Sequence, residues 1–78
     1  MRIVLLGRLS DLADMLPPDL PDRLDWQAVT TTWPPALAEA VTADTVRVAV
    51  NGALLSDRTA LDARTGDEVA FLPPVSGG

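Results

Sequence analysis

The sequence predicts a small α+β roll, a mixed sheet wrapped over one main helix. Three observations predict it. Strand-like apolar runs stand near both ends of the chain, at residues 3–7 and 68–72. An alternating β-branched segment, Val46-Arg47-Val48-Ala49-Val50, runs into Asn51-Gly52, the strongest short hairpin signal. Between the ends lies a helical stripe, with Trp26, Val29 and Trp33 at i, i+3 and i+7.

Each element has its own warrant. Ile3-Val4-Leu5-Leu6-Gly7 is continuously apolar, the mark of a strand covered at least in part on both faces. Ser10 suits an N-cap and Asp11 a first turn, so residues 10–16 read as one or two helical turns that Pro17-Pro18 stop. Pro17, Pro18 and Pro21 remove donors that a central strand needs, which leaves a short edge strand or an irregular connection over residues 17–24. Asp25 is placed to cap a helix beginning at Trp26. Thr30, Thr31 and Thr32 weaken that helix and Pro34-Pro35 breaks it; residues 36–41, Ala-Leu-Ala-Glu-Ala-Val, then make a second short helical piece. In the central strand Val46, Val48 and Val50 face one way, Arg47 and Ala49 the other. Residues 53–55 return from the hairpin. Residues 57–65 read as a polar loop with Leu61 as an inward anchor, and Gly66-Asp67 as a turn. In the last strand, residues 68–72, Val69 and Phe71 share a face. Pro73-Pro74 ends it, which divides the chain into a domain, 1–72, and an extended tail, 73–78.

Composition narrows the chemistry. A chain of 78 residues makes one domain with a small core and no deep substrate cavity. It contains no Cys and no His, which removes disulfides, thiolate and imidazole metal sites, Cys nucleophiles and the usual neutral-pH base. Ser10, Ser56 and Ser76 therefore have no His to activate them. Eleven Asp and Glu oppose six Arg, with no Lys, for a net charge of −5. That balance cannot release counterions from nucleic acid and is repelled by an anionic membrane; it suits a protein partner with a basic surface. No leader-like or membrane-spanning run is present, so the expected location is the cytoplasm.

What remains for chemistry is a carboxylate, a hydroxyl, an Arg or a chain terminus. The tail ends in Gly77-Gly78. Without Cβ atoms it is slim enough to thread a narrow channel, and Pro73-Pro74 favours an extended exit. Residues 73–78 reach roughly 20 Å at about 3.3 Å each. A free carboxylate is inert toward nucleophiles until activated, for instance as an acyl-adenylate; a sulfur nucleophile would convert that to a thiocarboxylate delivered on a tether. The bland alternative is a frayed terminus. Strand parity turns Leu6 and Leu72 outward, either as part of an interface or as the second layer of a small core. Trp26 and Trp33 read as core or helix anchors, and Asp19, Asp22 and Asp25 as a solvated acidic loop rather than a hard-cation site. Arg8, Arg47, Arg58 and Arg64 are either surface charges or contacts to acids on a partner.

Phe71-Leu72-Pro73-Pro74-Val75-Ser76-Gly77-Gly78 resembles the C-terminus of the MoaD family, the small subunits of molybdopterin synthase. Asp67-Glu68-Val69-Ala70-Phe71 is similar to the family's last strand, Val48-Ala49-Val50-Asn51-Gly52 to its central strand and hairpin, and residues 3–12 to its first strand and helix. The resemblance spans the chain, and its specific part is the C-terminal octet. It implies a β-grasp, ubiquitin-like fold. It also implies that Gly78, presented by Gly77, is adenylated by an ATP-dependent enzyme and thiocarboxylated with sulfur from a sulfurtransferase. The carrier binds no cofactor itself; the ATP belongs to the activating partner. The tail, Pro73, Pro74, Val75 and Ser76 included, would enter the large synthase subunit of a heterotetramer and give sulfur to cyclic pyranopterin monophosphate. On matched positions the docking patch beside the tail is Leu6, Leu54 and Leu72. Carriers for thiazole, cysteine or tRNA thiolation share the fold and the Gly-Gly end. A ubiquitin-like modifier joined to lysines and a plain interaction module remain the other readings.

Overall fold

The computed structural model describes residues 1–74. Six strands, β1 (Arg2–Leu5), β2 (Arg23–Asp25), β3 (Arg47–Val50), β4 (Ala53–Leu54), β5 (Asp62–Arg64) and β6 (Glu68–Leu72), are joined with two α-helices, α1 (Trp26–Thr32) and α2 (Pro35–Val41). The main sheet has the order β1-β6-β3-β4, with β1 parallel to β6 and the other pairs antiparallel. This is the α+β, β-grasp arrangement expected, with a mixed sheet over helices. Its helical layer is two seven-residue pieces rather than one helix. They are separated because Pro34-Pro35 cannot continue α1, while Pro35 is well placed to start α2.

Local chemistry accounts for most boundaries. The Asp25 carboxylate accepts from the Ala28 N–H at 2.8 Å and caps α1. Thr30 and Thr31 return their hydroxyls to the Gln27 carbonyl at 3.0 and 2.8 Å, and Thr32 to that of Ala28 at 2.6 Å. Three β-branched residues are thereby held in a short helix at its C-terminal end. In the hairpin, Asn51 and Gly52 take φ of 51° and 84°. Positive φ at both central residues is the requirement of a type I′ turn, which Asn-Gly meets at least cost.

Two regions correct the sequence reading. Residues 10–16 do not form α-helical turns started by Ser10; Gly7–Met15 coils in 3₁₀ turns, with Leu6 at its start and no side chain capping it. The reason is visible in the spacing. Leu9, Leu12 and Met15 recur every third residue and all pack on the core, the period of a 3₁₀-helix rather than of an α-helix. Residues 57–65 are not simply a polar loop. After a short 3₁₀ turn, Arg58–Ala60, residues 62–64 form β5, antiparallel to β2 with Leu24 opposite Ala63. Leu61 is the inward anchor anticipated, 2% exposed.

The core lies between the inner face of the main sheet and the helices. Phe71, Val48 and Val69 from the sheet are fully buried with Val29, Leu37 and Val41 from the helices. Trp33, between α1 and α2, meets Phe71 edge-on, with ring centroids 5.6 Å apart and planes at 61°, a favoured aromatic geometry. Both Trp residues thus serve as anchors: Trp33 in the core, Trp26 half-buried beneath the Arg58 guanidinium at 5.0 Å.

Candidate functional site: the outer sheet face and the root of the tail

The site is built by strand alternation. Register across the main sheet aligns Val4 with Ala70, Ala70 with Ala49, and Ala49 with Leu54. These positions share a row on the face turned away from the helices. One step along, Leu72 stands opposite Arg47. Leu6 follows Leu5, the last paired residue of β1, and its N–H still donates to the Phe71 carbonyl at 3.1 Å. Leu6, Leu72 and Leu54 therefore frame one apolar surface. Leu54 is 62% exposed and Leu6 41%, the two large hydrophobic side chains left open among the described residues. Leu72 is half-buried. They do not form a second core layer, because the helices cover the opposite face.

A groove of about 580 Å³ runs from this surface to the tail's root, lined by Leu54, Leu72, Arg47 and Asp44 and closed by Pro73 and Pro74. A second groove, of about 480 Å³, flanks the same two prolines from the other side, between Leu9 and Leu12 of the 3₁₀ segment and Ala40 and Val46. Pro73-Pro74 is a ridge between two grooves. The expected site residues Leu6, Leu54, Leu72, Pro73 and Pro74 are thus brought to one end of the sheet. Val75, Ser76, Gly77 and Gly78 lie outside the described residues.

The charged residues divide into structural and free groups. Arg58, left undecided by the sequence, is structural. Its guanidinium donates to the carbonyls of Thr42 at 2.9 Å and Val46 at 3.0 Å and also to that of Ala43, closing the C-terminal end of α2. Acceptors 12 to 16 residues away left no local signal for this role. Arg23 and Arg64 share the Asp62 carboxylate at 2.8 and 3.4 Å; the hydrogen bond from Arg23 is the main cause that holds Asp62 below the ordinary carboxylate range. The Asp67 carboxylate accepts from the Arg64 N–H at 2.8 Å and the Asn51 amide at 3.0 Å, and in that order these bonds lower its pKa. Asp57 is lowered by the Thr59 hydroxyl and then by the Thr59 N–H. Asp57 and Asp67 hold turns, Asp62 ties β5 to Arg23 of β2, and all three remain ionised, so they are not proton donors at neutral pH. Asp25 is occupied as a helix cap, and among the described residues no three acidic side chains gather as an ion site. Among the described residues Arg8 and Arg47 make no ion pair with an acid, and Arg47 lines the groove beside Leu54 and Leu72.

Among the described residues the arrangement offers an apolar platform leading to a proline ridge at Pro73-Pro74. No curated protein matches the sequence. The ThiS family profile matches residues 8–78, from the start of the 3₁₀ segment through every later element to the Gly-Gly end, but without Gly7. On this match and on the mixed sheet over helices, the chain belongs to the ThiS family, within the ubiquitin-like sulfur carriers that also include MoaD-type proteins.

Proposed function

We propose that this carrier is the small subunit of a molybdopterin synthase. In this reading the Gly78 carboxylate attacks the α-phosphate of ATP in an activating enzyme, and pyrophosphate leaves. The persulfide of a sulfurtransferase displaces AMP to give an acyl disulfide, and a partner thiol reduces it, leaving the thiocarboxylate on the terminus and a disulfide on the partner. The domain then docks through Leu6, Leu54 and Leu72 on the large synthase subunit. The tail, with Gly77 passing the narrowest point, carries the sulfur to cyclic pyranopterin monophosphate. The assembly is a cytoplasmic heterotetramer in which the large subunit supplies substrate binding and proton transfer, since the carrier has neither His, Cys nor Lys.

One observation carries the docking part: the exposed leucines and the tail's root share one end of one sheet face, so a partner that covers the platform also receives the terminus. The globule holds the tether near the reaction centre and raises its effective concentration there. The Pro-Pro-Val-Ser-Gly-Gly ending supports the molybdopterin assignment over other sulfur pathways.

The test is stepwise. With its activating enzyme, ATP and a sulfur source, the chain gains the mass of one oxygen-to-sulfur exchange at Gly78; no exchange removes the carrier reading. With the large subunit and the pterin precursor added, the dithiolene product forms. Sulfur loading without that product assigns the chain to another pathway. Removing Gly78 abolishes loading and leaves the unfolding midpoint unchanged, because β6, the last strand, ends at Leu72.

A further inference from the structure

The parallel ladder between β1 and β6 keeps a constant offset: Ile3 pairs with Val69, Val4 with Ala70 and Leu5 with Phe71. Carried two steps further, the same offset sets Gly7 beside Pro73. Both chains leave the ladder at that level. Pro73 has no N–H to donate, and Gly7 turns with φ of 56° into the 3₁₀ segment. The two residues fit only because Gly7 lacks a side chain. A Cβ built there would lie 2.8 Å from Pro73 Cγ and 3.6 Å from Pro73 Cδ. The first separation is closer than carbon atoms pack, and the neighbour is a rigid ring at the base of the tail. Gly7 is otherwise exposed, so Pro73 is the contact that any side chain would meet.

We propose that Gly7 is the seat of Pro73 and so a positioning residue for the reactive terminus: it sets the direction in which the tail leaves the sheet. This rests on the carrier reading, because direction matters only if the terminus must enter a partner's site. The ring sits against Gly7 between the two grooves. Filling the seat would turn Pro73 and Pro74 toward one groove and so change the direction in which the chain leaves the sheet. The docking leucines would stay in place.

The test uses the full chain and the variant Gly7→Asn. Asn adopts positive φ readily, so it keeps the turn while adding the Cβ. Pro73→Ala removes Cγ and Cδ and so empties the clash. In steady-state adenylation by the activating enzyme, Gly7→Asn lowers kcat about tenfold, as expected for a misdirected reacting group. KM for the carrier stays within about twofold, as expected when a substitution acts on the reacting group's direction and not on binding. In the Pro73→Ala background the same substitution changes kcat less than about twofold. An unchanged kcat, or an equal loss in both backgrounds, overturns the proposal. NMR supplies a readout independent of the enzyme. The wild-type chain shows a cross-peak between Gly7 Hα and the Pro73 ring, and Gly7→Asn shifts the Leu72 amide only when Pro73 is present. Absence of the cross-peak, or a shift in both backgrounds, also overturns it. A wild-type chain that the activating enzyme does not adenylate removes the carrier reading, and the seat then stands or falls on the NMR result.

Discussion

The two faces of the main sheet are made of alternate residues in the same strands, yet they do opposite things. On the inner face Leu5, Phe71, Val48 and Val69 are at most 7% exposed and carry the core. On the outer face Leu6, Leu72 and Leu54 are of similar type and stay accessible. Hydropathy does not separate Leu5 from Leu6. The separation comes from the pleat, which sends neighbours to opposite sides, and from helices that cover only one side. Burial turns one set into stability, whereas exposure leaves the other set's apolar area available for a partner.

Four measurements sharpen or break this division. The largest effect is expected at the centre of the inner face. Phe71→Ala removes the ring that Trp33 packs against and costs about 3–5 kcal/mol in denaturant unfolding. That approaches the whole stability of a small domain; a loss near zero would mean that the inner face does not hold the fold. Next is the outer face. On the proposed function, Leu54→Glu weakens binding of the large synthase subunit at least about tenfold in calorimetric titration. Its effect on unfolding stays within about 0.5 kcal/mol, as for an exposed position. Leu72→Glu acts on binding in the same direction. A variant that unfolds the domain while leaving affinity intact would reverse the roles of the faces.

A smaller effect is expected where the helical layer is tied to the rest of the chain. Arg58→Ala leaves the carbonyls of Thr42 and Val46 without their donor and costs about 1–2 kcal/mol in the same unfolding experiment. The smallest is the pH response. Asp57, Asp62 and Asp67 have carboxyl pKa values lowered in the folded chain. A lowered folded value favours the native state above the unfolded value, near 3.9, and loses that contribution as pH falls through the folded value. The chain has no His, Cys, Tyr or Lys. The thermal midpoint is therefore flat from about pH 5 to neutrality and falls below about pH 4. The three carboxylates are solvent-exposed, so the decline is shallow and is reduced by added salt. A transition between pH 5 and 7 would point to a titrating group that these contacts do not contain.

The legible and illegible parts of this molecule differ in range. Asp25 as a cap, Asn51-Gly52 as a tight turn, the prolines that end elements and the parity that sets Leu6 and Leu72 on the face opposite Leu5 and Phe71 are local properties, and each was readable from a few neighbouring residues. The 3₁₀ segment was readable too, in the three-residue spacing of Leu9, Leu12 and Met15; the N-cap signal at Ser10 competed with it. The β2–β5 pair was not. Three-residue strands carry little periodicity, and Leu24 opposite Ala63 is a contact between positions that local patterns do not connect. Arg58 was ambiguous for the same reason.

From the sequence alone come the alternation of faces, the breaks between elements, the lack of imidazole, thiol and lysine side chains, and the Gly77-Gly78 ending. Which face the helices would cover, that Arg58 would bind carbonyls at the end of α2, and that Gly7 would meet Pro73 were decided only in three dimensions. Those outcomes depend on register between distant strands. Register is a collective result of packing many side chains at once, and no short stretch of residues contains it.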